Sequence, residues 1–439
     1  MTVQRVEPGG PLRGRIQVPG DKSISHRMLI LAALADGTST IRGLSGGDDV
    51  LRTRRILEAL GIRTFEAAGV LNVHGGALSP AKGPLDVGNS GTGIRLLAGL
   101  LAGMDFQSVL DGDDSIRRRP MDRVLKPLRA MGATVAGREG SDLAPLTVGG
   151  GGLSGIEYRL PVASAQVKGC VLFAGLSADS PTTVIEDRPS RAHTEELMLA
   201  TGITVDESSE DGLNVTTVHP GRPEPFTHDI AGDPSQAAFW AVAAAIVPGS
   251  EVVLGNVYAG PARLGFVEVL QRMGAYLVLD PASGDMTVRN SELVGTDIAA
   301  DEVPGLVDEV PILAVAAAMA EGVTTFDGVE ELRIKESDRL AAVESQLGRM
   351  GAEVRVENDR LVVTGRPEGV GLRGVGVDSH GDHRIAMACA VAALVAKGPT
   401  TITGWDAVST SYPDFYGHLQ ALRNGNRPEV ADRSADEGS

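Results

Sequence analysis

A short signature recurs five times along the chain, and it constrains the fold more than any other feature. Each copy closes a helical pattern on a glycine: Glu58-Ala-Leu-Gly61, Arg129-Ala-Met-Gly132, Leu199-Ala-Thr-Gly202, Gln271-Arg-Met-Gly274 and Gly348-Arg-Met-Gly351. The glycines stand 71, 70, 72 and 77 residues apart. Glycine just past the last apolar helical position is a usual helix terminator. After each glycine come two alternating stretches around a polar turn, the pattern of a β-hairpin.

A second series is offset from the first. Short strand patterns run into small or charged residues that open Ala- and Leu-rich helices at Lys22, Asn89, Ser164, Asp233, Asp308 and Asp382. The spacings are 67, 75, 69, 75 and 74 residues. Six units result, each reading strand, helix, strand, helix, hairpin. The sixth has no hairpin after its second helix, whereas Val3 to Val18 reads as a hairpin with no helix before it. The N-terminal hairpin is therefore expected to complete the last unit. That places residues 1–19 and 232–439 in one α/β domain and residues 20–231 in the other, with crossings near Pro19 and Ala231. A solenoid would also repeat, but joining the two ends favours two closed domains of three units.

With 3% aromatic residues, the cores must be built from aliphatic side chains. The longest apolar runs are shorter than the roughly 20 residues that span a bilayer, and Met1 to Gly10 lacks the pattern of a signal peptide. A cytoplasmic location is the expectation. Cys170 and Cys389 sit in separate apolar segments and read as small buried hydrophobes. Arg427 to Ser439 reads as a frayed polar tail. The formal net charge of −17 argues against nucleic acid or an anionic membrane as partner, so local clusters of Arg and Lys are informative.

Those clusters fall at the helix starts, where free N–H groups already attract anions. They include Lys22-Ser23-Ile-Ser25-His26-Arg27, the glycine-rich Gly88-Asn89-Ser90-Gly91-Thr92-Gly93-Ile94-Arg95, Arg117-Arg118-Arg119, Ser164-Ala165-Gln166-Val167-Lys168 and Ser190-Arg191-Ala192-His193. The second half adds Lys335-Glu336-Ser337-Asp338-Arg339 and Asp382-His383-Arg384. Each has a plain alternative. Arg triplets are usually solvated, Lys335 to Arg339 suits an exposed helical face, and Asp308 suits a helix cap. Against the cap stands a general base kept ionised by the nearby lysine. Spacing alone leaves that choice open. Read together, the clusters indicate a cleft for small polyanions, with no zinc cluster or nucleotide fingerprint in the sequence.

At these residues the chain resembles the 3-phosphoshikimate 1-carboxyvinyltransferases, or EPSP synthases, over nearly its whole length. The carrying runs are Pro19 to Arg27, Asn89 to Arg95, Arg333 to Arg339, Asp382 to Arg384 and Tyr412 to Phe415. The resemblance implies the enolpyruvyl transferase fold, an inside-out α/β barrel of three βαβαββ units in each of two domains. It also implies transfer of the carboxyvinyl group of phosphoenolpyruvate to the 5-hydroxyl of shikimate 3-phosphate, without metal or organic cofactor, by a monomer. Lys22, Ser23, Arg27, Ser164, Ala165, Gln166, Ser190, Arg191, Asp308 and Lys335 would then hold shikimate 3-phosphate. Lys22, Asn89, Gly91, Thr92, Arg119, Gln166, Arg339 and Arg384 would hold phosphoenolpyruvate. Asp308, Lys335 and Glu336 would be catalytic, as proton acceptor, its cationic partner and candidate proton donor.

Two departures stand out: Ala165 replaces a serine of many members, and Thr410-Ser411 replace a lysine. Both resemble the family's second sequence class, which includes members insensitive to the inhibitor glyphosate, whereas Gly91 is the small residue associated with ordinary inhibitor binding. The nearest alternative is the sister transferase acting on UDP-N-acetylglucosamine. Its loop cysteine has no counterpart in Asp111 to Arg119. A non-catalytic phosphometabolite-binding repeat protein is the other alternative.

Overall fold

The computed structural model describes residues 2–260, 262–365 and 371–425. The tail expected over Arg427 to Ser439 lies outside the described residues. All five signature glycines adopt φ between 83° and 96°, a region that side-chain-bearing residues avoid, and a hairpin follows each one. The repeat seen in the sequence is thus a repeat of helix stops.

Among the described residues the strands form six small sheets. Leu85–Asp86, Ser108–Asp111, Leu146–Gly149 and Thr134–Ala136 show the common order: the first pair is parallel and the rest antiparallel. The same order recurs with Glu157–Arg159 and with Asp297–Ile298 as first strands. The first sheet takes its parallel strand from far along the chain, since Thr227–Asp229 pairs with Gly37–Arg42.

The N-terminus corrects one expectation. Val3–Val6 does complete the sixth sheet, antiparallel to Thr400–Thr403. Arg13–Gln17, however, lies parallel to Glu251–Gly255 in the fourth sheet. The two strands do not form a hairpin with each other. Pro8-Gly9-Gly10-Pro11 between them is no tight hairpin turn, and Gly9 N instead donates to Leu394 O at 3.2 Å, carrying the chain from one sheet to the next.

Six inner helices carry the apolar sequence: α1 (Lys22–Leu34), α2 (Gly91–Ala102), α3 (Ala165–Gly175), α4 (Pro234–Ile246), α5 (Val310–Ala318) and α6 (His383–Leu394). A helix apolar on all sides is stable only when surrounded, and every residue of α4, α5 and α6 is buried. Helices α4, α5 and α6 pack pairwise, while α2 packs on both α1 and α3. The buried apolar side chains form two clusters. One runs from Ile24 to Ile230, and the other from Ala237 to Leu422 together with Val6, Leu12, Ile16 and Val18. Trp240 anchors the second. Its indole stacks on Phe415 at 4.6 Å and donates to Tyr412 Oη at 2.9 Å, docking the last helix, Phe415–Arg423, onto α4. Cys170 and Cys389 are buried as expected, and burial pushes both thiols up to about 12.

The chain passes between the clusters at two adjacent places. Gly20 and Gly232 form a bridge, with Asp21 N donating to Ala231 O and Asp233 N to Pro19 O, both at 2.8 Å. Gly20 is required there, because a Cβ would stand 1.8 Å from Gly43 O.

Candidate active site

Five of the six inner helices have side-chain caps: Asp21 accepts from Ile24 N, Ser90 from Gly93 N, Ser164 from Val167 N, Asp233 from Ser235 N and Asp382 from Arg384 N. The exception is α5. Glu309 takes the cap position without a capping bond, and Asp308 lies one residue further out. Asp308 is therefore no helix cap. Its carboxylate meets Arg191 Nη1 and Arg339 Nη1, each at 3.2 Å, and stands 3.8 Å from Arg384 Nη2.

These residues belong to one cleft between the two clusters. Lys22, Ser23, Arg27, Gly91, Thr92, Arg119, Ser164, Ala165, Gln166 and Arg191 line it from the first half, and Asp308, Lys335, Glu336 and Arg384 from the second. Its volume is about 100 Å³. An adjoining cavity of about 410 Å³ shares Ser164 to Gln166, Arg191, Asp308 and Lys335, and adds Ser190. Two of the expected residues stand apart. Asn89 Nδ2 donates to Thr410 Oγ1 across the gap at 3.4 Å. Arg339 is 1% exposed and lies behind the wall, where Asp382, Glu336 and Asp308 surround its guanidinium. Burial disfavours its charge, but Asp382 and Glu336 outweigh that and raise its pKa.

The structure also decides the plain alternatives for the other clusters. In the arginine triplet Arg118 is exposed and Arg117 pairs with Asp111, while Arg119 turns inward to Glu336 at 3.1 Å and to Lys335 O at 3.2 Å. Lys335 to Arg339 is not a helical face, because the helix starts only at Arg339 with Asp338 as cap. Gly91 lies against the guanidinium of Arg119, which a Cβ would approach to 2.3 Å.

Several side chains are fixed before any ligand is considered. Arg27 Nε donates to Thr194 Oγ1 at 2.7 Å, Nη1 to Ser23 O at 3.0 Å and Nη2 to Ala165 O at 3.1 Å, so it ties α1 to α3. Burial lowers its pKa to about 10, still well above neutrality. Gln166 accepts from Arg95 Nη1 at 2.9 Å and donates to Thr92 Oγ1 at 3.0 Å. Lys22 Nζ sits 2.9 Å from Asp49. Burial opposes the Lys22 charge, and Asp49 and Glu336 outweigh it, so its pKa is raised.

Both carboxylates expected to move protons are held ionised. For Asp308, burial favours the neutral acid, but Arg384, Arg191, Lys335 and Arg339 hold the group well below the usual carboxylate range. For Glu336 burial likewise favours the acid, and Arg119, Arg339, His383 and Lys22 overcome it. The lysine expected to orient Asp308 is a lesser partner than two arginines, and its own Nζ bonds Glu331 at 3.3 Å.

Part of the wall lies outside the binding sets that the resemblance implies, although Arg95 and His193 stand in the clusters read from the sequence. Arg95, Arg123, His193, Arg263 and Glu331 also line the cleft. Arg95 was within reach, one helical turn after Gly91 and bonded to its carbonyl at 3.0 Å. Arg263 carries no motif and comes from a loop that only the fold brings near. Ser190 Oγ, Arg191 Nη2 and both ring nitrogens of His193 are buried and make no hydrogen bond among the described residues.

Residues 6–419 match the sequence profile of the family described as EPSP synthase (3-phosphoshikimate 1-carboxyvinyltransferase). A 3-phosphoshikimate 1-carboxyvinyltransferase of Synechococcus sp. (strain JA-3-3Ab) is 48% identical over 433 residues, 95% of this chain and 96% of the relative. The enzyme of the same name from Streptococcus equi subsp. zooepidemicus is 45% identical, over 94% of this chain and 97% of its own. The solved structure of EPSP synthase from Acinetobacter baumannii superimposes with a TM-score of 0.82 at 38% identity, covering 96% of this chain and 98% of that one. The enolpyruvyl transferase NikO of Streptomyces tendae shares the fold at a TM-score of 0.76 with 16% identity. The chain belongs to the EPSP synthase family.

Proposed function

We propose that the cleft transfers the carboxyvinyl group of phosphoenolpyruvate to the 5-hydroxyl of shikimate 3-phosphate and releases phosphate. The observation that carries this reading is Asp308, a carboxylate held ionised by three arginines at the floor of a cleft whose other wall is cationic. A base for a hydroxyl and a receptacle for two anions are what the addition needs. Opposite charges about 4 Å apart attract by roughly 4 kcal/mol at an effective dielectric near 20. Several such contacts offset the repulsion between two phosphorylated acids and hold them in attack geometry.

Asp308 takes the hydroxyl proton as the oxygen attacks C2, and Glu336 delivers a proton to C3. Glu336 then takes a proton back from C3 as the double bond re-forms and the C2–O bond to phosphate breaks, and the proton held by Asp308 leaves with the phosphate. What supports Glu336 over Lys335 as donor is its pairing with Arg119. The carboxylate and phosphate of phosphoenolpyruvate draw Arg119 and Lys22 to themselves, so Glu336 loses two of the cations that hold it low and can then carry a proton. Shikimate 3-phosphate occupies the larger cavity, where Ser190 Oγ and Arg191 Nη2 have donors to offer.

No helix among the described residues is long and apolar enough to cross a membrane. We propose a cytoplasmic monomer acting on two diffusible acids. The test supplies phosphoenolpyruvate with either shikimate 3-phosphate or UDP-N-acetylglucosamine and measures phosphate. Release with shikimate 3-phosphate alone is expected. Release with the sugar nucleotide alone, or with neither, overturns the reading.

A further inference from the structure

The two crossing segments end in aspartates that cap the leading helix of each half. Asp21 caps α1, accepting from Ile24 N at 2.9 Å, and Asp233 caps α4, accepting from Ser235 N at 2.8 Å. Asp233 also accepts from Lys22 N at 3.2 Å, so it holds the start of the other half's helix as well as its own. The two carboxylates are buried close together, and burial, then the nearby Asp21, disfavours the charge of Asp233. One side chain resolves this conflict. Arg263 Nη2 donates to Asp21 Oδ2 at 2.5 Å and to Asp233 Oδ1 at 2.7 Å, while Nη1 donates to Ser235 Oγ at 3.2 Å. Arg263 is 2% exposed, and it lines the same cleft as Lys22.

We propose that Arg263 is the positioning residue of the hinge: its guanidinium locks the caps of α1 and α4 together and so sets the angle at which Lys22 and the two helix starts face the substrates. The proposal rests on the transferase reading above. The rigid planar fork suits the task, since donors held in one plane fix direction as well as distance. A hydrophobic contact would let the halves rotate. Lys22 follows Asp21 directly, so a shift of the Asp21 cap moves the Lys22 backbone with it. With its guanidinium taken up by Asp21, Asp233 and Ser235, Arg263 acts through the helix starts, on the binding of both anions together.

The experiment compares Arg263→Gln and Arg263→Lys with the unmodified enzyme. It reads KM for each substrate, kcat, melting temperature, and ligand-induced compaction by small-angle X-ray scattering with shikimate 3-phosphate. For Arg263→Gln, the expected result is a rise of about tenfold or more in both KM values, a lower kcat and loss of compaction, as misplacement of binding groups produces. Arg263→Lys restores the charge without the fork. Its melting temperature should return to normal while both KM values stay roughly threefold to tenfold high. Should Arg263→Gln fail to fold, Arg263→Lys decides alone. A lower melting temperature with unchanged kinetics, or wild-type KM values and compaction in the folded variant, overturns the proposal. An unmodified enzyme that turns over neither substrate pair counts against the transferase reading, and compaction on ligand addition still reports on Arg263.

Discussion

Asp308 shows how neighbours decide the chemistry of one side chain. Spacing made it equally a cap or a base, because aspartate before an apolar helix serves both. The structure separates the two: the helix begins beyond Glu309, and the Asp308 carboxylate faces Arg191, Arg339 and Arg384. Asp308→Ala should lower kcat by about a hundredfold to ten-thousandfold, the usual worth of a general base. Binding of shikimate 3-phosphate, followed by calorimetry, should survive. Near-normal turnover would reduce the residue to charge balance. The depressed pKa has a sign that can be checked. A base ionised far below neutrality stays active as pH falls from 8 to 5, so Asp308 contributes no acid limb to kcat/KM there. A limb near pH 6 would belong to substrate phosphate, whose second pKa is about 6, and it should persist in Asp308→Glu. At Gly91 the relevant magnitude is a distance. Gly91→Ala places a methyl 2.3 Å from Arg119 Nη1, so the guanidinium must yield. KM for phosphoenolpyruvate should rise severalfold while KM for shikimate 3-phosphate changes little, as steady-state kinetics would reveal.

At the scale of elements the sequence was most readable, and the reason is physical. A helix stop needs a residue that tolerates positive φ, so Gly61, Gly132, Gly202, Gly274 and Gly351 mark the repeat however much the packing around them varies. The inner helices were visible because they are apolar on every side. What escaped was pairing between distant strands. Val3–Val6 and Arg13–Gln17 look like one hairpin locally, and only the sheets they join separate them. Two glycines test different costs. At Gly132 a Cβ would meet nothing within 4 Å, so Gly132→Ala should cost only the left-handed backbone, about 1–2 kcal/mol. At Gly365 a Cβ would stand 2.2 Å from Ala320 O, so Gly365→Ala should cost about 3 kcal/mol or more as the hairpin shifts off α5. Urea titration of both variants should preserve that ranking.

For the whole molecule, charge is the governing quantity. A chain of net −17 gathers cations from both halves at one seam, and no side of the cleft is complete alone. A ligand that engages cations of both halves should favour the arrangement that the second ligand also needs. Calorimetry should find that shikimate 3-phosphate tightens phosphoenolpyruvate binding, and that phosphoenolpyruvate tightens shikimate 3-phosphate by the same factor, as linkage requires. Equal affinities with and without the other ligand would deny that coupling. This cooperation between halves was only partly legible. The motifs announced Lys22, Arg119, Lys335 and Arg384, but nothing in the sequence near Arg263 indicates that the fold carries it to the same seam.

The bridge between Gly20 and Gly232 also bears on how such a chain can be cut and rejoined. The chain leaves the neighbourhood of Pro19 and returns to it at Ala231, side by side. The flanking strands, Arg13–Gln17 and Glu251–Gly255, pair directly across that point. A short linker from Val18 to Asp233 should therefore leave that pairing in register, an outcome that circular dichroism and urea titration of the joined piece would check.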